Sequence, residues 1–203
     1  MYSIRATKLE NSSDSKVIGL ASMVVDEKFA FNSIKVVKSD NTSRGFFLSM
    51  PSYKKKDGTY VEHFHPVSTD MVNAMCDAVS KSLATGEKVS FGDGPSKISV
   101  YVDACDYGAT KGNVSMRIGK DFVCDSIKVM SNEEGKLFVG MPTYKTKEDE
   151  RKQLCNPITA EYREELFGDI LEKQEKSVKS KLNSTTKKDV SYTVDTDAVK
   201  KSI

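Results

Sequence analysis

The chain has 203 residues, a formal net charge of +2 and hydrophobic residues at 38%. This composition is typical of a globular protein with a lean core in each of two small domains, and the weak positive charge neither requires nor excludes a nucleic-acid partner. No stretch approaches the roughly 20 apolar residues that span a membrane, and residues 1–10 lack the apolar segment of a signal peptide. We therefore expect a cytoplasmic protein that does not associate with membranes.

In the first half of the chain, a run of strands precedes one helix. Residues of high β-propensity predict strands at 4–9, 16–25, 28–37 and 45–50, with a turn at 26–27 and a bulge at 32–33. Pro51 ends the fourth strand, and Asp57-Gly58 predicts a short hairpin after it. A helix with Ser68 as its N-cap follows, and its apolar face recurs every four residues from Met71 to Leu83.

The second half of the chain repeats the first. Ser33-Ile34-Lys35-Val36 recurs as Ser126-Ile127-Lys128-Val129, and the segment Phe47–Lys54 recurs as Phe138–Lys145. The offset between the copies changes once, in the polar stretch before Phe46, where a turn tolerates a deletion. Collinear matches with the gap in a turn predict an internal duplication.

The duplication predicts an α+β protein of two tandem units, each an antiparallel sheet with a C-terminal helix packed on it. The first unit spans 1–88, a turn-rich linker spans 89–96, and the second unit spans 97–182. Residues 183–203 form a polar tail, for which we expect disorder or loose packing. The alternation from Val190 to Val194 is also compatible with a short strand.

The chain contains four cysteines, none of them in a C-x-x-C pair, and so we expect reduced and mostly buried thiols. His63 and His65 share one face of an extended segment, but the sequence places no third metal ligand near them. It also contains no recognisable catalytic triad or nucleophile elbow. We therefore predict a protein without a metal or cofactor that is not an enzyme.

Three short motifs lie between the strands and the helix of the first unit: Phe47-Leu48-Ser49-Met50-Pro51-Ser52, Lys54-Lys55-Lys56-Asp57-Gly58 and His65-Pro66. In this order they resemble the SpoVG (stage V sporulation protein G) family, over essentially the whole first unit. The second unit keeps Met141-Pro142-Thr143, but it departs from the pattern at Lys147-Glu148-Asp149-Glu150 and at Asn156-Pro157.

The resemblance implies an antiparallel sheet with a packed helix, in proteins that associate as dimers. For a duplicated chain it therefore implies an intramolecular pseudo-dimer, with one unit in place of each partner, and it leaves further homo-oligomerisation open. It also implies a bacterial regulator that binds DNA or RNA, with no enzymatic activity. A role in septation or sporulation is left open.

The basic residues of the second motif are the ones that the family associates with nucleic-acid contact. Lysine is a mobile point charge that suits backbone phosphates, and a tyrosine can stack on a base. The equivalent turn of the second unit has a net charge of only about +1, while the end of the last helix, Glu172–Lys188, is rich in lysine. The candidate nucleic-acid-binding residues are Tyr53, Lys54, Lys55, Lys56, Lys145, Lys147, Lys179 and Lys181.

Two interpretations of the function remain open. In the first, the chain is a regulatory protein whose lysines contact DNA or RNA phosphates. In the second, it is a protein-interaction module whose exposed sheet edges pair with a partner strand, without nucleic acid. Salt-sensitive binding to nucleic acid separates the two.

Overall fold

A computed structural model describes residues 1–10, 15–95, 97–146 and 148–190, with side chains described up to Asn183. The first unit contains seven strands and a helix: β1 (Tyr2–Lys8), β2 (Val17–Val25), β3 (Phe29–Lys38), β4 (Phe46–Ser49), β5 (Ser52–Lys54), β6 (Tyr60–Glu62), β7 (Phe64–Pro66) and α1 (Thr69–Thr85). One further strand, β8 (Val89–Phe91), follows α1. The second unit repeats the order: β9 (Ile98–Tyr107), β10 (Thr110–Ile118), β11 (Phe122–Ser131), β12 (Leu137–Gly140), β13 (Thr143–Lys145), β14 (Arg151–Gln153), β15 (Cys155–Pro157) and α2 (Ala160–Val190).

The local signals in the sequence produce the expected structure. Asp26 and Glu27 form the turn between β2 and β3 with φ angles of 48° and 55°, and Ser33 has a φ of 63° at the bulge in β3. Ser68 caps α1, because its hydroxyl accepts a hydrogen bond from the backbone N–H of Met71 at 3.2 Å. The α+β fold class with two tandem units of sheet and helix is confirmed.

Two segments differ from the expectation. Val89–Phe91, in the predicted linker, forms β8 and pairs with β1. The helix α2 does not end at Leu182 but continues to Val190, into the segment predicted as a polar tail. Ser96 of the linker and residues 191–203 of the tail lie outside the described residues, and so does the strand prediction beyond Val190.

The strands form two antiparallel main sheets and two small hairpins. The first main sheet has the order β15-β3-β2-β1-β8, with β4 also on β3, and the second has the order β12-β11-β10-β9, with β7 on β11. The hairpin β5–β6 (Ser52–Glu62), here called arm 1, and the hairpin β13–β14 (Thr143–Gln153), called arm 2, pair only within themselves.

The two units exchange strands. β7 of the first unit pairs with β11 of the second, where Phe64 lies opposite Cys124. In return, β15 of the second unit pairs with β3 of the first, where Cys155 lies opposite Phe31. Each main sheet is therefore completed by the other half of the chain, and this exchange forms the predicted intramolecular pseudo-dimer.

A single core runs through both units at the place of exchange. The rings of Phe31 and Phe64 lie 4.8 Å apart between centroids, and Phe122 lies 4.9 Å from Phe31. In the repeat, Cys124 and Cys155 stand where Phe31 and Phe64 stand in the first unit, and their sulfur atoms lie 3.5 Å apart. Since all five side chains are fully buried, apolar packing joins the units.

The helices pack on the main sheets beside β1 and β9, respectively. Among the described residues, neither α1 nor α2 has the combination of length and apolar character that crossing a bilayer requires.

Candidate nucleic-acid interface

Arm 1 projects from the first main sheet because proline ends the strand before it. Pro51 separates β4 from β5, and its carbonyl oxygen accepts a hydrogen bond from the His63 N–H at 2.9 Å, which closes the base of the arm. At the tip, the N–H of Gly58 donates to the Lys55 carbonyl at 3.0 Å. Gly58 has a φ of 89°, which a glycine adopts at little cost. The arm is thus a defined hairpin that presents its turn to solvent.

Asp57 stabilises the tip of arm 1. Its carboxylate accepts hydrogen bonds from the hydroxyl of Thr59 at 2.6 Å and from the N–H of Thr59 at 2.9 Å. These two bonds, the hydroxyl first, hold the pKa of the Asp57 carboxyl below its usual 3.8. The carboxylate is therefore ionised and held by the turn itself.

The three predicted phosphate contacts, Lys54, Lys55 and Lys56, are exposed on this arm. Within the described part of the chain, no carboxylate lies at ion-pair distance from any of their ammonium groups. Their positive charge is therefore available to a ligand, offset only by longer-range interactions such as that between Lys55 and Asp57.

The two faces of arm 1 carry different aromatic residues. Lys54 lies opposite Tyr60, and its ammonium nitrogen is 5.8 Å from the centroid of that ring. Tyr53 projects from the other face, opposite Val61, and its ring packs 5.1 Å from the ring of His63. Tyr60 is 70% exposed and Tyr53 is 43% exposed. Tyr60, which is not among the residues predicted from the sequence, is therefore the more accessible surface for stacking.

His63 and His65 have the surroundings of residues with a structural role. Burial lowers the pKa of His63 below its usual 6.5, and its Nδ1 atom is buried without a hydrogen-bond partner. His65 lies in β7 opposite Val123. Within the described ranges, no three His, Cys, Asp or Glu side chains gather in a group that could hold a metal ion.

Arm 2 has the same backbone design with a different charge pattern. The N–H of Leu154 donates to the Pro142 carbonyl at 2.8 Å, and Asp149 occupies the position of Gly58 with a φ of 63°. Lys145 forms an ion pair with Asp149 at 2.7 Å. Lys152 approaches Glu150 at 3.7 Å, while the predicted contact Lys147 lies outside the described residues. The described lysines of arm 2 are thus offset by its own carboxylates.

Most of the described lysines near the end of α2 also form ion pairs. Lys173 forms an ion pair with Asp169, and Lys176 forms one with Glu172, each one helical turn towards the N-terminus. Lys181 forms an ion pair with Asp103 of β9 at 2.7 Å.

Lys179 is exposed, and the side chains of the lysines beyond Asn183 lie outside the described residues. Because β9 and β7 lie on opposite sides of the second sheet, the structure does not bring Lys181 together with arm 1.

Comparisons with known proteins identify the family. The SpoVG family model matches residues 1–84 and 96–176. A SpoVG protein of Clostridium beijerinckii is 42% identical over 71 residues, which cover 35% of this chain and 77% of that protein. One from Macrococcus caseolyticus is 31% identical over 98 residues, 48% of this chain and 83% of its own. One from Archaeoglobus fulgidus is 34% identical over 78 residues, 38% of this chain and 88% of its own.

The names of these three relatives refer to septation. Each match covers most of the relative but less than half of this chain, as expected where the chain holds the unit twice. The chain therefore belongs to the SpoVG family, as a member with two tandem copies of the unit.

Proposed function

We propose that this protein is a cytoplasmic regulator, not an enzyme, which binds the phosphate backbone of DNA or RNA through arm 1. The observation that carries the proposal is the exposed group of Lys54, Lys55 and Lys56, with no carboxylate at ion-pair distance in the described residues. Because the hairpin fixes the backbone that carries the three ammonium groups, ordering them on a ligand costs less conformational entropy than it would for three lysines on a coil.

Tyr60 supports the same function. An exposed aromatic ring beside a lysine can stack on an unpaired base while the ammonium group contacts the neighbouring phosphate. Such stacking on a base contributes about 1–3 kcal/mol and requires a single strand or a distorted duplex. A larger loss for single-stranded than for double-stranded ligand on Tyr60→Ala would therefore separate stacking from phosphate contact.

The proposal assigns unequal roles to the arms. Because Lys145 and Lys152 of arm 2 lie beside their own carboxylates, arm 2 would contribute less to binding a polyanion than arm 1. Lys179 of α2 adds positive charge at a distance from arm 1, and its contribution would be long-range attraction that salt screens.

The test is a salt series on the full chain. Fluorescence anisotropy with mixed-sequence duplex DNA and RNA oligonucleotides between 50 and 200 mM salt gives the slope of log K against log salt concentration. For three phosphate contacts, the Lys54/Lys55/Lys56→Ala variant should lower the magnitude of this slope by about 2.7 for duplex DNA. The matched control is Lys145→Ala, which removes a lysine already paired on the equivalent arm and should change the slope by less than ~0.9.

Two results would refute the proposal. One is a triple variant with unchanged affinity and unchanged slope, while circular dichroism shows both proteins folded. The other is the absence of binding to any DNA or RNA pool at low salt, which the alternative of a protein-interaction module predicts.

A further inference from the structure

The outer edges of the two main sheets are completed differently. In the first unit, β8 covers the edge strand β1, with Phe91 opposite Tyr2 and Val89 opposite Ile4. The Phe91 ring stacks on the Tyr2 ring at 5.6 Å. In the second unit, the equivalent strand β9 is the last in its sheet, and no strand of the described residues pairs with its outer side.

Hydrogen bonds to the helix show which backbone groups face outward on this edge. The N–H of Ala104 in β9 donates to the hydroxyl of Ser177 at 3.1 Å, and the Ala104 carbonyl accepts from Lys181. Because backbone groups alternate in direction along a strand, the N–H and C=O of Ile98, Val100 and Val102 also face outward. Within the described part of the chain, these groups have no outward hydrogen bond.

A groove runs beside these backbone groups. It has a volume of about 700 Å³ and lies between the outer edge of β9 and α2, lined by Ile98, Val100, Val102, Lys173 and Ser177. A second groove, of about 320 Å³, continues from it past Tyr162 and Leu166. In the first unit, the space between β1 and α1 is the place where β8 packs.

The sequence after α2 repeats the segment that fills this space in the first unit. In the first unit, Thr85 ends α1, and Val89-Ser90-Phe91 follows as β8. Near the end of α2, Thr186 is followed at the same spacing by Val190-Ser191-Tyr192. The two segments share a threonine, a valine and a serine, and they carry an aromatic residue at the same position.

We propose that Val190–Val194 of the same chain adds to β9 as an antiparallel strand. Tyr192 takes the place of Phe91 opposite Ile98, and Val190 takes the place of Val89 opposite Val100. The outward N–H and C=O groups of Ile98 and Val100 then gain backbone hydrogen bonds. The start of the β9 edge, at residues 98–100, is then covered; left open, it would favour association with other strands.

Docking requires the chain to leave α2 near Leu182 and turn back. Residues 183–189 include Asn, Ser, two Thr and Asp, which are weak helix formers, and so the last turns of α2 are the part most easily unwound. Thr85 is the last residue of α1, and its equivalent in α2 is Lys176. Leu182 lies about 9 Å beyond Lys176 along the helix axis. Residues 183–189 can span about 23 Å when extended, which is more than twice the roughly 9 Å by which Leu182 lies beyond the position equivalent to the end of α1.

The test uses amide hydrogen exchange measured by NMR on the full chain. The readout is the exchange rate of the Val100 amide divided by that of Ser99, whose N–H faces β10. Tyr192→Asp should raise this ratio by about tenfold or more, because the outward amide loses its partner. Two controls, Tyr192→Phe and Thr193→Asp, should leave the ratio unchanged, since the first keeps an aromatic ring and the second changes the outer face of the added strand.

Three results would overturn the proposal. In the first, the Val100 amide exchanges as fast in the unaltered chain as in the Tyr192→Asp variant. In the second, both amides accelerate together, so that the ratio is constant and the change is a general loosening of the sheet. In the third, protection of Val100 disappears on dilution together with a dimer in sedimentation, which would assign the strand to a second copy of the chain.

Discussion

The exchange of strands predicts that the two units unfold together, and Phe64 is the residue that tests it. Phe64 belongs to the first unit by sequence, but it lies in β7, which pairs with β11 of the second unit. Its side chain is fully buried and contacts the rings of Phe31 at 4.8 Å and Phe122 at 6.0 Å. Replacing it by alanine removes packing from both units at once.

The expected loss is large in relation to the stability of an ordinary domain. Phe→Ala in a close-packed core costs about 3–5 kcal/mol, because burial of the ring is lost and a cavity remains. Total stabilities are about 5–15 kcal/mol, and for a chain of this length each kcal/mol corresponds to roughly 2–4 °C in Tm. We therefore expect Phe64→Ala to lower Tm by about 6–20 °C.

The assay follows each unit separately during urea unfolding. The methyl groups of Met23 in β2 and Met116 in β10 are fully buried and report on the first and second units. In Phe64→Ala, both methyl resonances should shift to the same lower midpoint. Phe47→Ala is the control, because Phe47 in β4 is 45% exposed and its loss should cost less than about 1 kcal/mol. The reasoning fails if Met116 keeps its original midpoint while Met23 shifts.

Three further predictions concern single sites. Burial lowers the pKa of His63 below 6.5, so as the pH falls the unfolded chain binds a proton at this residue before the folded chain does, and the stability should decrease below about pH 6.5. In His63→Leu, which introduces the residue type of the second unit, the urea midpoint should depend less on pH between 7.5 and 5.5. Cys155, whose pKa is raised by its hydrogen bond to a neighbouring thiol and by burial, should be alkylated at least about tenfold more slowly than the half-buried Cys105, as peptide mass spectrometry can measure. Asp149→Gly should raise the free energy of unfolding by about 1 kcal/mol, as thermal unfolding can measure, because glycine adopts the left-handed conformation of this position without strain. The same substitution removes the ion pair of Lys145 and should increase the magnitude of the salt slope for duplex DNA by about 0.9.

The repeat made most of the fold predictable, because strands and turns carry local signals. The bulge at Ser33, the turn at Asp26 and the N-cap Ser68 depend on side chains and dihedral angles within a few residues. The exchanged strands do not, since β7 and β15 are three residues long and show no periodicity. Their partners are chosen by packing between distant segments, which a single sequence does not display.

The candidate site was predictable to a similar degree. The hairpin that exposes Lys54 follows from Asp57-Gly58, and the ion pair of Lys145 with Asp149 follows from their spacing in a tight turn. The missed Tyr60 could have been found by drawing the hairpin register, which places it opposite Lys54. No local pattern predicts the ion pair of Lys181 with Asp103, since β9 and α2 meet only in the folded protein.

The core at the place of exchange explains why the first unit pairs with the second. Each crossing sets one phenylalanine opposite one cysteine: Phe64 opposite Cys124 and Phe31 opposite Cys155.

Two copies of the first unit would set phenylalanine against phenylalanine at both crossings, and such overpacking costs about 1–3 kcal/mol. Two copies of the second unit would set cysteine against cysteine and leave a cavity, which is also destabilising. A phenylalanine opposite a cysteine at both crossings fills the core without overpacking and without a cavity. The packing therefore favours the pairing of unlike units within one chain. A duplicated chain held together in this way can let its arms diverge, because arm 1, with its exposed lysines, and arm 2, whose described lysines form ion pairs, both lie outside the core that fixes the pairing.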